Sequence, residues 1–544
     1  MYYTVGLEVV ELDQLKSSFY QPGLLRIKLG HEKLHPIVTT NINSLDLSNK
    51  FKAEIIENHI NVFFELSADG SKKLSLFVGD KEVDQNINPE GLLEIKNIDL
   101  LKYSKYFLED TNYIYLVSYN KDESLHSQAY PLIYKFSSGS KSGSGEINTN
   151  EPVSFKGLPD LYALVVGTSK YSGEITKLVF PDKDAESMAQ GLKAIGNRLF
   201  DHVFLSLLTT ASQNVDSISN RNNIEKILKD FAIKAKAKDV LLVYFSGHGS
   251  TFAENGKPQF YYLTKDVTTS DLSNQDVRNN FTISSNDLSA WLTAIPARKQ
   301  VLIFDACHSG EVISSLETSA RDISPSKIIA LDRLKDRSGT FILTGSAADK
   351  VSFESSQYGQ GLLTYTLLQG MRGLAITEDK RVDVAKLFGH AKDRVPILAE
   401  SINRVQIPII SYPKGGGSFD IGLVDTILDI PEVKSKPVFA KSKIQSKSFG
   451  DPKKIVAGFS NYFGQFTAQG SQAELIYTEY DGYPNAYSIQ GNYEVIGDEL
   501  RLEFKLFKGE EPVNNEVFKV TSPRAPYLDL YEKAFEKFES LIKP

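Results

Sequence analysis

One cysteine, one tryptophan and three methionines among 544 residues are the first scarcities that narrow the reading of this chain. A single thiol cannot close an internal disulfide, and it excludes a zinc site built on several cysteines. No stretch reaches the ~18 consecutive apolar residues of a membrane-spanning helix. The opening "MYYTVGLEVVELDQLK" lacks the basic-then-apolar order of a secretory signal, so a cytoplasmic location is expected. HExxH and GxxxxGK[ST] are also missing, which removes the usual signatures of metal hydrolysis and of phosphate-loop nucleotide chemistry. Charge of one sign is scarce too. The 61 basic and 68 acidic residues are mixed along the chain for a net −7, with no long basic run, so nucleic acid is not expected as a partner.

What is present is apolar material, 41% of residues, in a chain long enough for roughly three or four domains. Residues 1–136 alternate apolar and polar ("LLRIKL", "INVFFEL", "YIYLVSY") between Gly, Asn and Asp, which predicts an antiparallel β domain. Residues 137–157, with "SSGSKSGSGEINTNE", read as a Gly/Ser linker. Over 158–424 the rhythm changes to continuous apolar runs separated by amphipathic helical stretches. Buried strands alternating with helices predict an α/β domain with a mostly parallel sheet flanked by helices. The "GGG" near its end reads as a hairpin turn. Residues 425–452 form a Lys-rich connector, and 453–544 a small α+β domain, a β meander followed by a helix. The prediction is a multidomain chain.

In open α/β sheets, sites lie beyond the carboxyl ends of the strands. Two runs end there in reactive residues: "DVLLVYFSGHGS" delivers Ser246, His248 and Gly249, and "QVLIFDACHSG" delivers Asp305, Cys307 and His308. A thiol of ordinary pKa near ~8.5 needs a base or a cationic neighbour to become a nucleophilic thiolate. His248 on an adjacent strand can be that neighbour. His308 is the competing base, but a residue next in sequence to Cys307 tends to point away from it. The N–H groups of Gly249 and Cys307 could hold the oxyanion of a tetrahedral intermediate. A lone cysteine at a strand end is commonly just a small buried residue. The two motifs at matching strand ends make the catalytic reading the stronger one.

These motifs, with "LYALVVGTSKY", "PDKDAES", "FILTGSAADKVSFES" and "YGQGLLTYTLLQGMRG", resemble those of caspase-like cysteine peptidases over about residues 158–424, nearest the metacaspase and bacterial orthocaspase branch. The resemblance implies a cysteine endopeptidase with His248 and Cys307 as its dyad. "DACHSG" departs from the caspase form Q-A-C-[RQG]-G. By the same resemblance Asp184, Ser246 and Asp305 line the pocket for the residue before the scissile bond, and two carboxylates there favour Arg or Lys.

The segment after the nucleophile is where caspase-like enzymes are often processed, and here it holds Arg321, Lys327, Arg333, Lys335 and Arg337 as self-cleavage candidates of a zymogen. The chemistry requires no cofactor. Several metacaspases use calcium, for which Asp266, Asp271 and Asp276 are the acids on offer, although spacing by fives without an adjacent pair suits a calcium cage poorly. The expected partners are protein substrates with basic residues at the cut, and a regulatory protein or ligand at the flanking domains. The competing readings are a caspase-like fold serving as a non-catalytic scaffold and a separase-like peptidase with another preference.

Overall fold

The computed structural model describes residues 2–5, 8–11, 51–64, 73–119, 126–137, 157–173, 175, 177–254, 257–308, 325–345, 354–355, 360–400, 405–413, 415–424, 430–431, 437–468, 475–479, 483, 485–523 and 527–542. The Gly/Ser stretch 138–156 and most of the connector at 425–436 lie outside them. Contacts divide the chain into two compact units. One holds residues 1–186, 200–352 and 409–417, and the other holds 187–199, 353–408 and 418–544.

The first unit opens with antiparallel sheets. Strands β1 (Tyr2–Val5) and β2 (Glu8–Glu11) pair with each other. β3 (Phe51–Ile56), β4 (His59–Phe64) and β7 (Glu94–Asp99) form a three-stranded sheet. β5 (Lys73–Val78), β6 (Lys81–Asp84), β8 (Asp110–Tyr119) and β9 (Tyr130–Phe136) form one of order β6-β5-β8-β9. The period-2 pattern of the sequence is the cause. Along β8, Ile114 and Leu116 are buried in a core shared with Ile60, Val62 and Leu76, while Tyr113 faces outward.

The central sheet has the order β11-β10-β12-β15-β16-β20. Its strands are β10 (Leu161–Gly167), β11 (Val203–Leu208), β12 (Val240–Glu254), β15 (Lys299–His308), β16 (Thr340–Thr344) and β20 (Ile409–Ser411). Every neighbouring pair is parallel except β16–β20. Two antiparallel strands, β13 (Lys257–Leu263) and β14 (Thr282–Ser284), extend it beyond the end of β12, so the sheet is mixed. β10 and the first ten residues of β12 are buried throughout, as continuous apolar runs in a parallel sheet should be. The helices are α1 (Pro181–Gly196), α2 (Arg221–Lys234), α3 (Gln275–Phe281), α4 (Ser285–Ala294) and α5 (Pro325–Ser338). Asn220 caps α2 through the Asn223 N–H, and Ser284 with Asp287 forms a capping box on α4. Leu228 of α2, Leu292 of α4 and Leu334 of α5 pack on one face of the sheet with Leu164, Val243 and Leu302.

Within this unit the N-terminal sheets grip the amino end of β15. The Lys81 ammonium is buried and donates to the carbonyls of Leu292 (3.1 Å), Ile295 (2.6 Å) and Ala297 (2.9 Å), which close α4 and lead into β15. Three acceptors match its three donors, and a helix C-terminus favours a cation. Burial nonetheless pulls its pKa well below the ordinary lysine value. Asp80 accepts from the Gly415 N–H (3.1 Å), Arg298 reaches Asn112 (3.3 Å), and Arg337 pairs with Glu82 (3.6 Å).

In the second unit β17 (Glu354–Ser355) pairs with β18 (Gln360–Gly361), and β19 (Arg381–Asp383) with β21 (Asp420–Leu423). Helices α6 (Leu362–Gln369) and α7 (Val384–Glu400) accompany them. The "GGG" at 415–417 is therefore not the turn of a hairpin, because β20 and β21 on its two sides join different sheets. The last domain is a seven-stranded sheet of β22 (Val438–Ala440), β23 (Lys443–Ser446), β24 (Ile476–Thr478), β25 (Tyr487–Ile496), β26 (Glu499–Lys508), β27 (Glu511–Pro512) and β28 (Phe518–Ser522). Helices α8 (Ile455–Ala468) and α9 (Leu528–Ile542) share its core through Phe459, Phe463, Leu530 and Ala534. Among the described residues no helix is long and apolar enough to cross a membrane.

Candidate active site

β12 and β15 run side by side in an unbroken parallel register from Val240↔Lys299 to Gly249↔His308. Within it His248 pairs with Cys307 and Ser246 with Asp305, so the residues singled out on the two strands meet two by two at their carboxyl ends. Side chains alternate along a strand, which puts those of Ser246 and His248 on the same face as that of Asp305. The side chains of Cys307 and His308 lie outside the described residues.

On its other edge β12 changes partner around the histidine. β10 ends its pairing at Gly167↔Ser246, and β13 begins at Gly249↔Tyr262. The main-chain groups in this gap must find other partners, since buried peptide groups are almost never left unpaired. Ser246 O accepts from the Thr168 N–H (2.9 Å) and from the Tyr262 hydroxyl (2.8 Å). The His248 N–H donates to the Tyr171 hydroxyl (2.8 Å), which in turn donates to Thr168 O (3.0 Å). Burial holds the Tyr262 phenol protonated far above its usual range, so it stays a donor. Gly247 between them has φ +149, and an added Cβ would stand 3.0 Å from the Tyr262 hydroxyl and 3.1 Å from that of Tyr171. Gly249 is required for another reason: a Cβ there would meet the Phe260 ring at 2.6 Å.

The acids approach from α1. Pro181 opens that helix, whose first turn receives the Ser169 hydroxyl as acceptor for the Asp182 N–H (2.9 Å). Asp182 turns away from the histidine to accept from the Thr210 N–H (3.0 Å) and hydroxyl (2.5 Å), fixing the loop after β11. Asp184 lies 3.5 Å from the Ser246 hydroxyl, which donates to it. Asp184, Ser246, His248 and Asp305 are all buried.

The basic segment is a different matter. Lys327, Arg333, Lys335 and Arg337 all belong to α5, where they form part of a helix rather than an open loop. Lys327 is buried with its ammonium over the Phe260 ring (5.1 Å), and Lys335 is buried between Asp332 (3.5 Å) and Asp336 (2.8 Å). A scissile bond has to be extended to enter a cleft, so cleavage at these four requires α5 to unwind first. Arg321 lies outside the described residues. Of the acids weighed for calcium, Asp271 accepts from the Ser273 N–H and Asp276 from the Asn280 amide, and the three do not converge. Among the described residues the one group of carboxylates and imidazole within ligand reach of each other is Asp160, Asp201 and His202, at the far, amino end of β10.

Sequence reading missed Tyr171, Tyr262, Thr168 and Ser219, whose hydroxyl lies 3.1 Å from that of Thr168. Thr168 and Tyr171 stand in the run "LYALVVGTSKY", from which no role was read, Tyr262 reaches β12 from the next antiparallel strand, and Ser219 acts through Thr168.

A six-stranded path of mostly parallel strands, with histidine and cysteine motifs side by side at the carboxyl ends, defines a cysteine-protease type of α/β domain. Residues 160–414 match the family model described as the caspase domain. Solved structures that the chain matches include a protein of Geobacter sulfurreducens, 15% identical at TM-score 0.32, with 46% of this chain and 93% of that one covered. Caspase-1 of Spodoptera frugiperda is 14% identical at TM-score 0.30, covering 50% and 94%, and pro-sf-caspase-1 is 14% identical at TM-score 0.29 with the same coverage. No curated protein matches the chain.

Proposed function

We propose that the protein is a cysteine endopeptidase of the metacaspase and orthocaspase branch, cutting peptide bonds after Arg or Lys through His248 and Cys307. The observation that carries this reading is the pairing of His248 with Cys307 in adjacent parallel strands. In this scheme the imidazole takes the thiol proton, and the thiolate attacks the carbonyl of the scissile bond. The Gly249 and Cys307 N–H groups receive the oxyanion, and the imidazolium protonates the leaving amine. Water then hydrolyses the thioester. No cofactor enters these steps, and calcium would act outside them.

Two buried carboxylates, Asp184 accepting from the Ser246 hydroxyl and Asp305 paired with Ser246 across the ladder, support a basic preference, because a guanidinium can bind both. Substrates are then proteins with exposed basic segments. Arg321 is left as the self-processing point of a zymogen. Regulation by the N-terminal domain would pass along β15 from its amino end, and a protein or ligand bound to that domain could use the same route.

The test is the pocket. Removing one partner of a partly dry charged pair costs on the order of 2–5 kcal/mol. At about 1.4 kcal/mol per tenfold, Asp305→Asn and Asp184→Asn should each lower kcat/KM on Arg substrates tens to thousands of fold. Cleavage after an uncharged residue should change little. Full activity of both variants on Arg substrates rules the pocket out.

A further inference from the structure

We propose that Tyr171 is the positioning residue of His248, its ring setting the plane of the imidazole and its hydroxyl fixing the main chain from which the imidazole springs. The inference rests on the reading of His248 as the base. It adds a residue from the loop after β10 whose role is to hold that base.

Three observations meet here. Among them, the ring centroids of Tyr171 and His248 are 5.1 Å apart with planes inclined at 32°, so the phenol covers one side of the imidazole. An aromatic face also favours the imidazolium formed during turnover. The Tyr171 hydroxyl takes the His248 N–H in the gap where β12 has lost β10 and not yet gained β13, so it replaces a strand partner at that one residue. Tyr171 itself cannot drift. It is buried in a small core with Tyr261, Leu263, Val267, Leu272 and Val277, and its hydroxyl is anchored on Thr168 O. Gly247 completes the fit, since any Cβ there would press on the same hydroxyl. A catalytic base must be held to within a fraction of an ångström, and a shift of about 1 Å can cost about a hundredfold in rate.

The experiment uses the full chain with 13C-labelled histidine, the His248 imidazole signal being assigned by its loss in His248→Gln. Tyr171→Leu removes ring and hydroxyl, and Tyr171→Phe removes the hydroxyl alone. In Tyr171→Leu the His248 signal should move and kcat should fall by about tenfold to a hundredfold with KM nearly unchanged. Tyr171→Phe should retain the ring-shifted signal and lose about tenfold in kcat, the equivalent of one buried hydrogen bond. A tyrosine that merely filled space would lower the unfolding midpoint in Tyr171→Leu but leave the His248 signal of that variant, and kcat of Tyr171→Phe, at wild-type values, which overturns the proposal. If Tyr171→Leu does not fold, kcat and KM of Tyr171→Phe decide. The peptidase reading fails separately, by persistence of cleavage in Cys307→Ala, and the imidazole signal still reports on Tyr171 in that event.

Discussion

Gly247→Ala puts the smallest side chain into the tightest part of the site. At φ +149 an L-residue is strained by about 1–3 kcal/mol. The new methyl would also stand 3.0 Å from the Tyr262 hydroxyl, 3.1 Å from that of Tyr171 and 3.2 Å from Thr168 O, closer than such contacts normally come. Neither phenol can yield freely, since each is buried and bonded to β12 or Thr168. Overpacking of this kind adds about 1–3 kcal/mol. The variant should therefore lose about 3 kcal/mol in all, a fall of roughly 6–12 °C in midpoint at about 2–4 °C per kcal/mol. His248 shifts with its neighbour, so kcat should drop by at least about tenfold. Gly417→Ala, where a Cβ meets nothing within 4 Å and φ is ordinary, is the neutral control. Thermal unfolding and peptide cleavage measured on the same preparations give both numbers. A Gly247→Ala protein as stable and as active as the Gly417→Ala protein would refute the account of how β12 is held.

Two other outcomes concern Lys81 and His390. Lys81→Met should lower stability in urea by about 1–3 kcal/mol, the net worth of charged bonds rather than of orphaned carbonyls. The reason is that the Gln300 amide still donates to Leu292 O, Ala297 O and, more weakly, Ile295 O. An unchanged midpoint would mean that the lysine does not hold the N-terminal domain to α4. His390 is half-buried, and desolvation, aided by Arg394, pushes its pKa down to about 3. Its folded value lies below the unfolded one near 6.5, so the unfolded chain binds the extra proton. Stability contributed by the neutral imidazole is whole above pH 6.5 and is lost as pH falls toward 3, by about 3 kcal/mol at pH 4. His390→Leu should flatten that part of the stability profile measured by denaturant unfolding, and an unaltered slope between pH 6.5 and 4 contradicts the assignment.

The parallel sheet was legible because its strands are unbroken apolar runs that stop at small or polar residues. Even the register was within reach. Laying "VLLVYFSGHG" over "KQVLIFDACH" aligns Ser246 with Asp305 and His248 with Cys307, as the ladder does. Asp184 came from the resemblance alone, since nothing local told it apart from Asp182, which binds Thr210 instead. The helix α5 carried its own signs, Pro325 at the start, Gly339 just past the end and Ile329, Leu331 and Leu334 between. Its lysines and arginines drew the reading toward a cleavable loop. The roles of Tyr171, the last residue of "LYALVVGTSKY", and of Tyr262 were illegible for a physical reason: their task depends on where β12 exchanges one partner for another, and that is decided by strands far away in sequence. Lys81 was equally silent, because a lysine flanked by two acids reads as surface until the domain it enters is seen.

The central claim is that Cys307 and His248 together cut peptide bonds after basic residues. Mass spectrometry of the products from a diverse peptide library, incubated in parallel with the wild type, Cys307→Ala and His248→Ala, tests it most directly. The account predicts new C-termini at Arg or Lys from the wild type and none above background from either variant. Cleavage that persists in folded Cys307→Ala, or wild-type cuts made mainly after Asp, would contradict it.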